Sequence, residues 1–201
     1  MLCPAHGPDA KTAQKPTSPG GTSPIDAPVV FLDLDAALVE LRPSGLPRPD
    51  LVLRSNAEEG LRRLRDAGRV VVLVDPAARD HLLPHQADVR ASFARRNLRG
   101  ALTRVAIFSC RHRPGEPCAC RKPGLDLIER AREELSLDLT GGWIAGDDPD
   151  IAAGREAGLR TVRIGPATVG RSGPTLTADY DARDLLDAAN WILLSEALAA
   201  A

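Results

Sequence analysis

Five short apolar runs, at residues 29–32, 70–74, 105–108, 143–145 and 161–164, set what this chain can fold into. Runs of this length, bounded by glycine and polar residues, are the pattern of strands buried on both faces of a sheet. Stretches with helical spacing lie between them. One carries Leu61 and Leu64 inward and stops at Gly68, with Ser55 or Asn56 expected as its cap. Others cover 87–96, Leu125-Ile128-Ala131-Leu135, 151–157 ahead of Gly158, and a last amphipathic stretch from about 182 to 198. Strands alternating with helices predict an α/β fold, a Rossmann-like three-layer αβα sandwich around a central parallel sheet. Ligands in such sheets bind at the carboxyl ends of the strands. Asp33, Asp35, Lys122, Asp147 and Asp148 all fall at or just after such ends.

The 201 residues suffice for one domain with a core, and the scarcity of aromatics (3%) makes that core aliphatic. Residues 1–27 are rich in Pro, Gly, Ser and Thr without apolar periodicity and are expected to form a disordered tail, leaving 28–201 as the folded domain. Lys+Arg 26 against Asp+Glu 27 lacks the basic surplus of a general nucleic-acid binder. No apolar run is long enough to cross a membrane, and the N-terminus lacks a basic-then-apolar leader. A cytoplasmic monomer without nucleic-acid or membrane partners is the expectation. His81 and His85 read as surface residues, as do the arginines around Arg95, Arg96 and Arg99. Trp143 and Trp191 read as core.

Three of the four cysteines fall in one window with a histidine: Cys110-x-His112, a short Pro/Gly loop, then Cys118-x-Cys120. Together these are a full set of tetrahedral zinc ligands. The alternative is three unrelated thiols beside a surface histidine. A disulfide fits less well, because Cys118 and Cys120 are too close to pair comfortably. Cys3 stands apart in the tail and is expected to be free. The loop, 110–120, runs directly into Arg121-Lys122-Pro123.

Asp33 and Asp35, one residue apart at a strand end, repel each other unless a cation intervenes, and oxygen-only ligands suit Mg²⁺. Asp147, from another strand end, completes such a site, and a nearby lysine balances a bound anion. The set suits phosphoryl transfer, with metal and lysine neutralising the phosphate while a carboxylate attacks phosphorus. The bland alternative is that Asp33 and Asp35 only cap the loop after their strand.

The order Asp33-Leu-Asp35, Cys110-x-His112…Cys118-x-Cys120, Arg121-Lys122-Pro123, Gly146-Asp147-Asp148 resembles the haloacid dehalogenase (HAD) superfamily. More narrowly, it resembles the capless, zinc-containing branch of histidinol-phosphate and D-glycero-D-manno-heptose 1,7-bisphosphate phosphatases, over about residues 29–166. That resemblance implies a HAD-like fold with no large cap domain, acting as a Mg²⁺-dependent phosphatase on a small phosphorylated metabolite such as a sugar phosphate. It implies Asp33 as nucleophile, forming an aspartyl-phosphate, and Asp35 as general acid and base. The Mg²⁺ is implied on the Asp33 carboxylate, the Asp35 backbone carbonyl and Asp147, with Asp148 in the same acidic loop. Lys122 is implied to hold the nucleophile and phosphoryl oxygens, Arg121 to reach the substrate phosphate, and a zinc on Cys110, His112, Cys118 and Cys120 to be structural.

The chain departs from the resembled pattern in three places. Ala36-Ala37 stands where Gly-Thr is usual. Val74-Asp75-Pro76 replaces a strand ending in Thr or Ser, which removes a hydroxyl donor and puts the Asp75 carboxylate beside the substrate phosphate. Asp150 follows Asp147 by three residues instead of four. These departures motivate a second reading: a catalytically impaired domain that binds a phosphorylated ligand or a protein partner.

Overall fold

The structure is a computed structural model and describes residues 28–42, 50–75, 86–98, 100–102, 105–110, 112, 116–165 and 177–201. The expected tail, Cys3, His81, His85 and Arg99 lie outside the described residues. In chain order the elements are β1 (Val29–Asp33), α1 (Leu34–Ala37), β2 (Val39–Arg42), β3 (Asp50–Leu53), α2 (Ala57–Asp66), β4 (Val70–Asp75) and α3 (Gln86–Asn97). They continue with β5 (Ala106–Ser109), α4 (Asp126–Leu135), β6 (Trp143–Gly146), α5 (Asp148–Glu156), β7 (Arg160–Ile164), β8 (Tyr180–Ala182) and α6 (Leu185–Ala199).

Six strands form one parallel sheet in the order β5-β4-β1-β6-β7-β8. β1 lies inside it, and every one of its residues is buried. Alternate side chains divide the core into two layers. Val30 and Leu32 pack with Leu61 and Leu64 of α2, Ala94 of α3, and Leu185, Ala188 and Ile192 of α6. Val29 and Phe31 face the other way, onto Leu127, Ile128 and Ala131 of α4 and Ala153 of α5. This is the expected three-layer arrangement. No helix of the described residues is long and apolar enough to cross a membrane.

Several local expectations are corrected. Asn56 takes the N-cap position of α2 with φ 59°, but its side chain makes no capping bond. Its amide donates instead to Asp184 Oδ2 at 2.8 Å, tying α2 to the start of α6. α2 does stop before Gly68, whose φ of 77° suits a residue without Cβ. α5 begins at Asp148, not Ile151, with Pro149 in its first turn. The segment before α6 is not helical, because 180–182 adds an edge strand to β7. Residues flanking the Pro-rich 43–49 stretch, itself outside the described residues, pair as the antiparallel hairpin β2–β3. Among the described residues, that hairpin is the insertion between β1 and α2.

Connections leave β1 toward β4 and leave β6 toward β7, so adjacent strands β1 and β6 send their chains in opposite directions. The carboxyl ends of these two strands therefore border a crevice, the usual ligand position in such sheets.

Candidate active site

Asp33 ends β1 and caps α1: Ala36 N donates to its Oδ1 at 2.6 Å. The capping role and a chemical role are compatible, because the second oxygen points elsewhere. Asp33 Oδ2 lies 2.7 Å from Lys122 Nζ. The same ammonium lies 3.2 Å from Asp147 Oδ1 and 2.6 Å from Asp150 Oδ2. Lys122 thus joins residues from β1, the turn after β6, and α5. Burial opposes its charge, but the fields of Asp33, Asp150 and Asp147 outweigh that penalty and hold its pKa above the ordinary lysine range.

Asp150 takes a place that the sequence reading left unassigned. It is 2% exposed, and its Oδ2 accepts both from Lys122 and, at 2.8 Å, from the backbone N–H of Asp147. Burial first, and then Asp33, push its carboxyl well above the usual range. Asp148 is not brought into this group: its Oδ1 receives Arg163 Nε at 2.6 Å, and Arg163 also pairs with Asp181. A residue one step along a helix from another faces a different direction, which is why Asp147 and Asp148 part company.

Gly146 makes room for Asp150. A Cβ there would stand 2.0 Å from Asp150 Oδ2 and 2.5 Å from its Cγ. Gly146→Ala is therefore expected to push Asp150 off Lys122 and to cost about 1–3 kcal/mol of stability. A thermal melt should register that at roughly 2–4 °C per kcal/mol. An unchanged midpoint would mean that Asp150 relocates freely.

Asp35, in α1, is half open to solvent and contacts a different cation. Arg90 Nη1 of α3 lies 3.2 Å from its Oδ2, while Arg90 Nη2 lies 2.5 Å from Asp75 Oδ1. Protein crowding around Asp35 pushes its carboxyl up to about 6. Arg90 works against that shift, and Asp33 and Asp75 add to it. A carboxyl in that range gives and takes protons near neutral pH. Arg90 carried no sequence signal of its own. Asp75 carried one: a carboxylate closing a wholly apolar run must find a balancing charge. Arg121, expected at the substrate phosphate, turns back to the loop instead, with Nη1 donating to Glu116 O at 3.0 Å.

The oxygens around Lys122 suit a divalent cation. Asp33, Asp147 and Asp150 outnumber the one ammonium they share, and all their ligand atoms are hard oxygens. The Asp35 carbonyl accepts from Arg54 Nε at 2.5 Å, which leaves its second lone pair for another partner.

Cys110, His112, Cys118 and Cys120 form a group able to hold a metal ion, with ligand atoms within 4.8 Å of one another. Cys110 Sγ lies 3.8 Å from Cys118 Sγ and 3.4 Å from His112 Nδ1, and Cys120 Sγ lies 3.6 Å from the same nitrogen. A tetrahedral ion with bonds of about 2.3 Å to sulfur and 2.0–2.1 Å to nitrogen has edges of about 3.8 and 3.5 Å. The thiols are free of disulfides. Burial pushes the Cys110 thiol up to about 11, so a thiolate there needs a cation beside it.

A HAD-hydrolase-like family model matches residues 119–187. The chain is 29% identical over 143 residues to the D-glycero-alpha-D-manno-heptose-1,7-bisphosphate 7-phosphatase of Photorhabdus laumondii, spanning 65% of this chain and 78% of that one. It is 33% identical over 80 residues to the D-glycero-beta-D-manno-heptose-1,7-bisphosphate 7-phosphatase of Pseudomonas aeruginosa, spanning 37% and 45%. Among solved structures, D,D-heptose 1,7-bisphosphate phosphatase from B. bronchiseptica, complexed with magnesium and phosphate, superposes with a TM-score of 0.65 at 22% identity. That match covers 84% of this chain and 99% of that one.

Proposed function

We propose that this chain, which is similar to HAD-superfamily heptose-bisphosphate phosphatases, hydrolyses a small phosphomonoester, a sugar phosphate, through an aspartyl-phosphate on Asp33. The observation that carries this reading is the single ammonium of Lys122 held against Asp33, Asp147 and Asp150, with Asp35 two residues from Asp33. Asp33 attacks phosphorus, the bond from phosphorus to the ester oxygen breaks, and Asp35 gives that oxygen its proton. Asp35 then takes a proton from water as the water attacks the aspartyl-phosphate. The bond from phosphorus to Asp33 breaks, releasing inorganic phosphate and restoring both carboxyl groups. Lys122 offsets charge on the phosphoryl oxygens. Asp33, Asp147 and the Asp35 carbonyl would hold Mg²⁺, which when bound neutralises phosphate charge. A zinc on Cys110, His112, Cys118 and Cys120 would be structural, since four protein ligands leave no open position.

The alternative of a non-catalytic binding domain rests on Val74, Asp75 and the Ala36-Ala37 turn, and its discriminating feature is the Asp75 carboxylate beside the phosphate. Arg90 balances that charge within the protein, so the repulsion weighs less and hydrolysis remains the better reading. Phosphate release from a panel of sugar and amino-alcohol phosphates, including a heptose 1,7-bisphosphate, is expected with Mg²⁺ and not with chelator. Zinc-loaded, folded protein that stays silent on the whole panel would overturn the proposal.

A further inference from the structure

We infer that Arg90 binds a phosphoryl oxygen of the substrate, with Asp75 holding its guanidinium in place at the end of β4. The inference rests on the phosphatase reading above. Asp75 is the last residue of β4, the strand beside β1, and the pairing of Asp33 with Val74 puts it one step beyond the level of Asp33. Arg90 reaches it from α3 and bridges Asp75 Oδ1 and Asp35 Oδ2. Lys122 lies against Asp33 from the β6 side and Arg90 lies against Asp35 from the β4 side, so two cations flank the turn that carries both carboxylates.

Stability does not account for this pair. Asp75 is 1% exposed and Arg90 2%. Burying two such charges costs several kcal/mol per ion, and apolar residues of similar volume serve as well or better. Arg90 Nε, buried with no hydrogen-bond partner among the described residues, lies on the edge of the guanidinium shared with Nη2, the edge that faces Asp75. The edge turned toward a ligand is Nη1, which meets the half-open Asp35 at 3.2 Å, and arginine's planar fork matches phosphate oxygens. Asp35, which Arg90 touches, is the half-open residue of the group, with its side chain 49% exposed. Through it the guanidinium borders the side from which a phosphorylated ligand enters. The preorganised donor that a hydroxyl at position 75 would supply is thus provided from α3, with Asp75 as its anchor.

The test compares the wild-type protein with Arg90→Met, Arg90→Lys, Asp75→Asn and the double variant Asp75→Asn/Arg90→Met. Each is assayed for turnover with Mg²⁺ and for binding of inorganic phosphate by calorimetry. Arg90→Met is expected to lower kcat/KM on the order of 10²–10³-fold and to weaken inorganic phosphate binding. Arg90→Lys should recover part of both. The double variant decides between a lost donor and an unbalanced Asp75, because it removes both charges and should keep a near-normal melting midpoint. If the donor is what matters, the double variant stays as impaired as Arg90→Met. Kinetics and phosphate affinity near wild type in the double variant would overturn the inference while leaving the phosphatase reading intact. Wild-type protein that binds phosphate through Arg90 without turnover would uphold the inference and overturn the phosphatase reading. Wild-type protein that does neither would overturn both.

Discussion

Asp33→Asn is expected to lower turnover by roughly 10⁴–10⁶-fold, the scale on which removal of an enzyme nucleophile is felt, with little change in stability. An amide cannot form the acyl phosphate, so the covalent route closes entirely. The fold should tolerate the change for reasons visible in the site. Asparagine keeps an oxygen to accept from Ala36 N at the start of α1. Lys122 loses one carboxylate but retains Asp147 and Asp150. The crowding of negative charge that raises the Asp150 carboxyl also eases, because Asp33 is among its causes. Phosphate release and a thermal melt on the same sample check both halves. A variant that melts normally and keeps even a tenth of the activity would exclude Asp33 as nucleophile.

The β1–β6 crevice was legible in the sequence because its parts are local. An apolar run that ends in Asp-x-Asp announces both a buried strand and its polar end, and Lys122 follows the cysteine loop directly. What was not legible depends on which side chains the fold brings together from distant positions. Arg90 lies 15 residues beyond Asp75 on a helix with other arginines, and nothing in its neighbours separates it from the solvated Arg96. Its importance follows only from α3 packing against β3 and β5, which brings Arg90 to the end of β4. Asp150 had a faint signal, since Asp147 and Asp150 stand at the spacing of a reciprocal helix-start bond. The three-residue interval read as a shortened loop when it was the first turn of α5. The β2–β3 hairpin escaped because its strands are short and largely solvent-facing, with Leu41 39% exposed, so no buried alternation marks them. Arg121 and Asp148 show the converse, in which a residue adjacent to a key position points away because neighbouring side chains diverge.

The cysteine loop supports the second large effect. Purified protein is expected to hold one zinc per chain, and stripping it, or replacing Cys118 with Ser, should cost more than about 4 kcal/mol, the range in which metal loss falls among single changes. For a chain of this length that is a fall in melting midpoint of roughly 10 °C or more. The size follows from where the sulfurs lie. Cys110 and Cys120 are each 2% exposed and belong to the same apolar layer as Phe108, Leu127 and Ile128. Cys120 Sγ also lies 3.2 Å from Asp126 Oδ2, in the first turn of α4. Without an ion, three sulfurs and an imidazole crowd together with nothing to bind them, and β5 and α4 lose the crosslink between them. Activity should fall with stability, because Lys122 follows Cys120 by two residues and reaches Asp33 from the base of this loop. Adding zinc back to stripped protein should restore the midpoint and the turnover together, whereas adding Mg²⁺ alone should restore neither. A metal-free protein that melts like the loaded one would show that packing alone holds the loop.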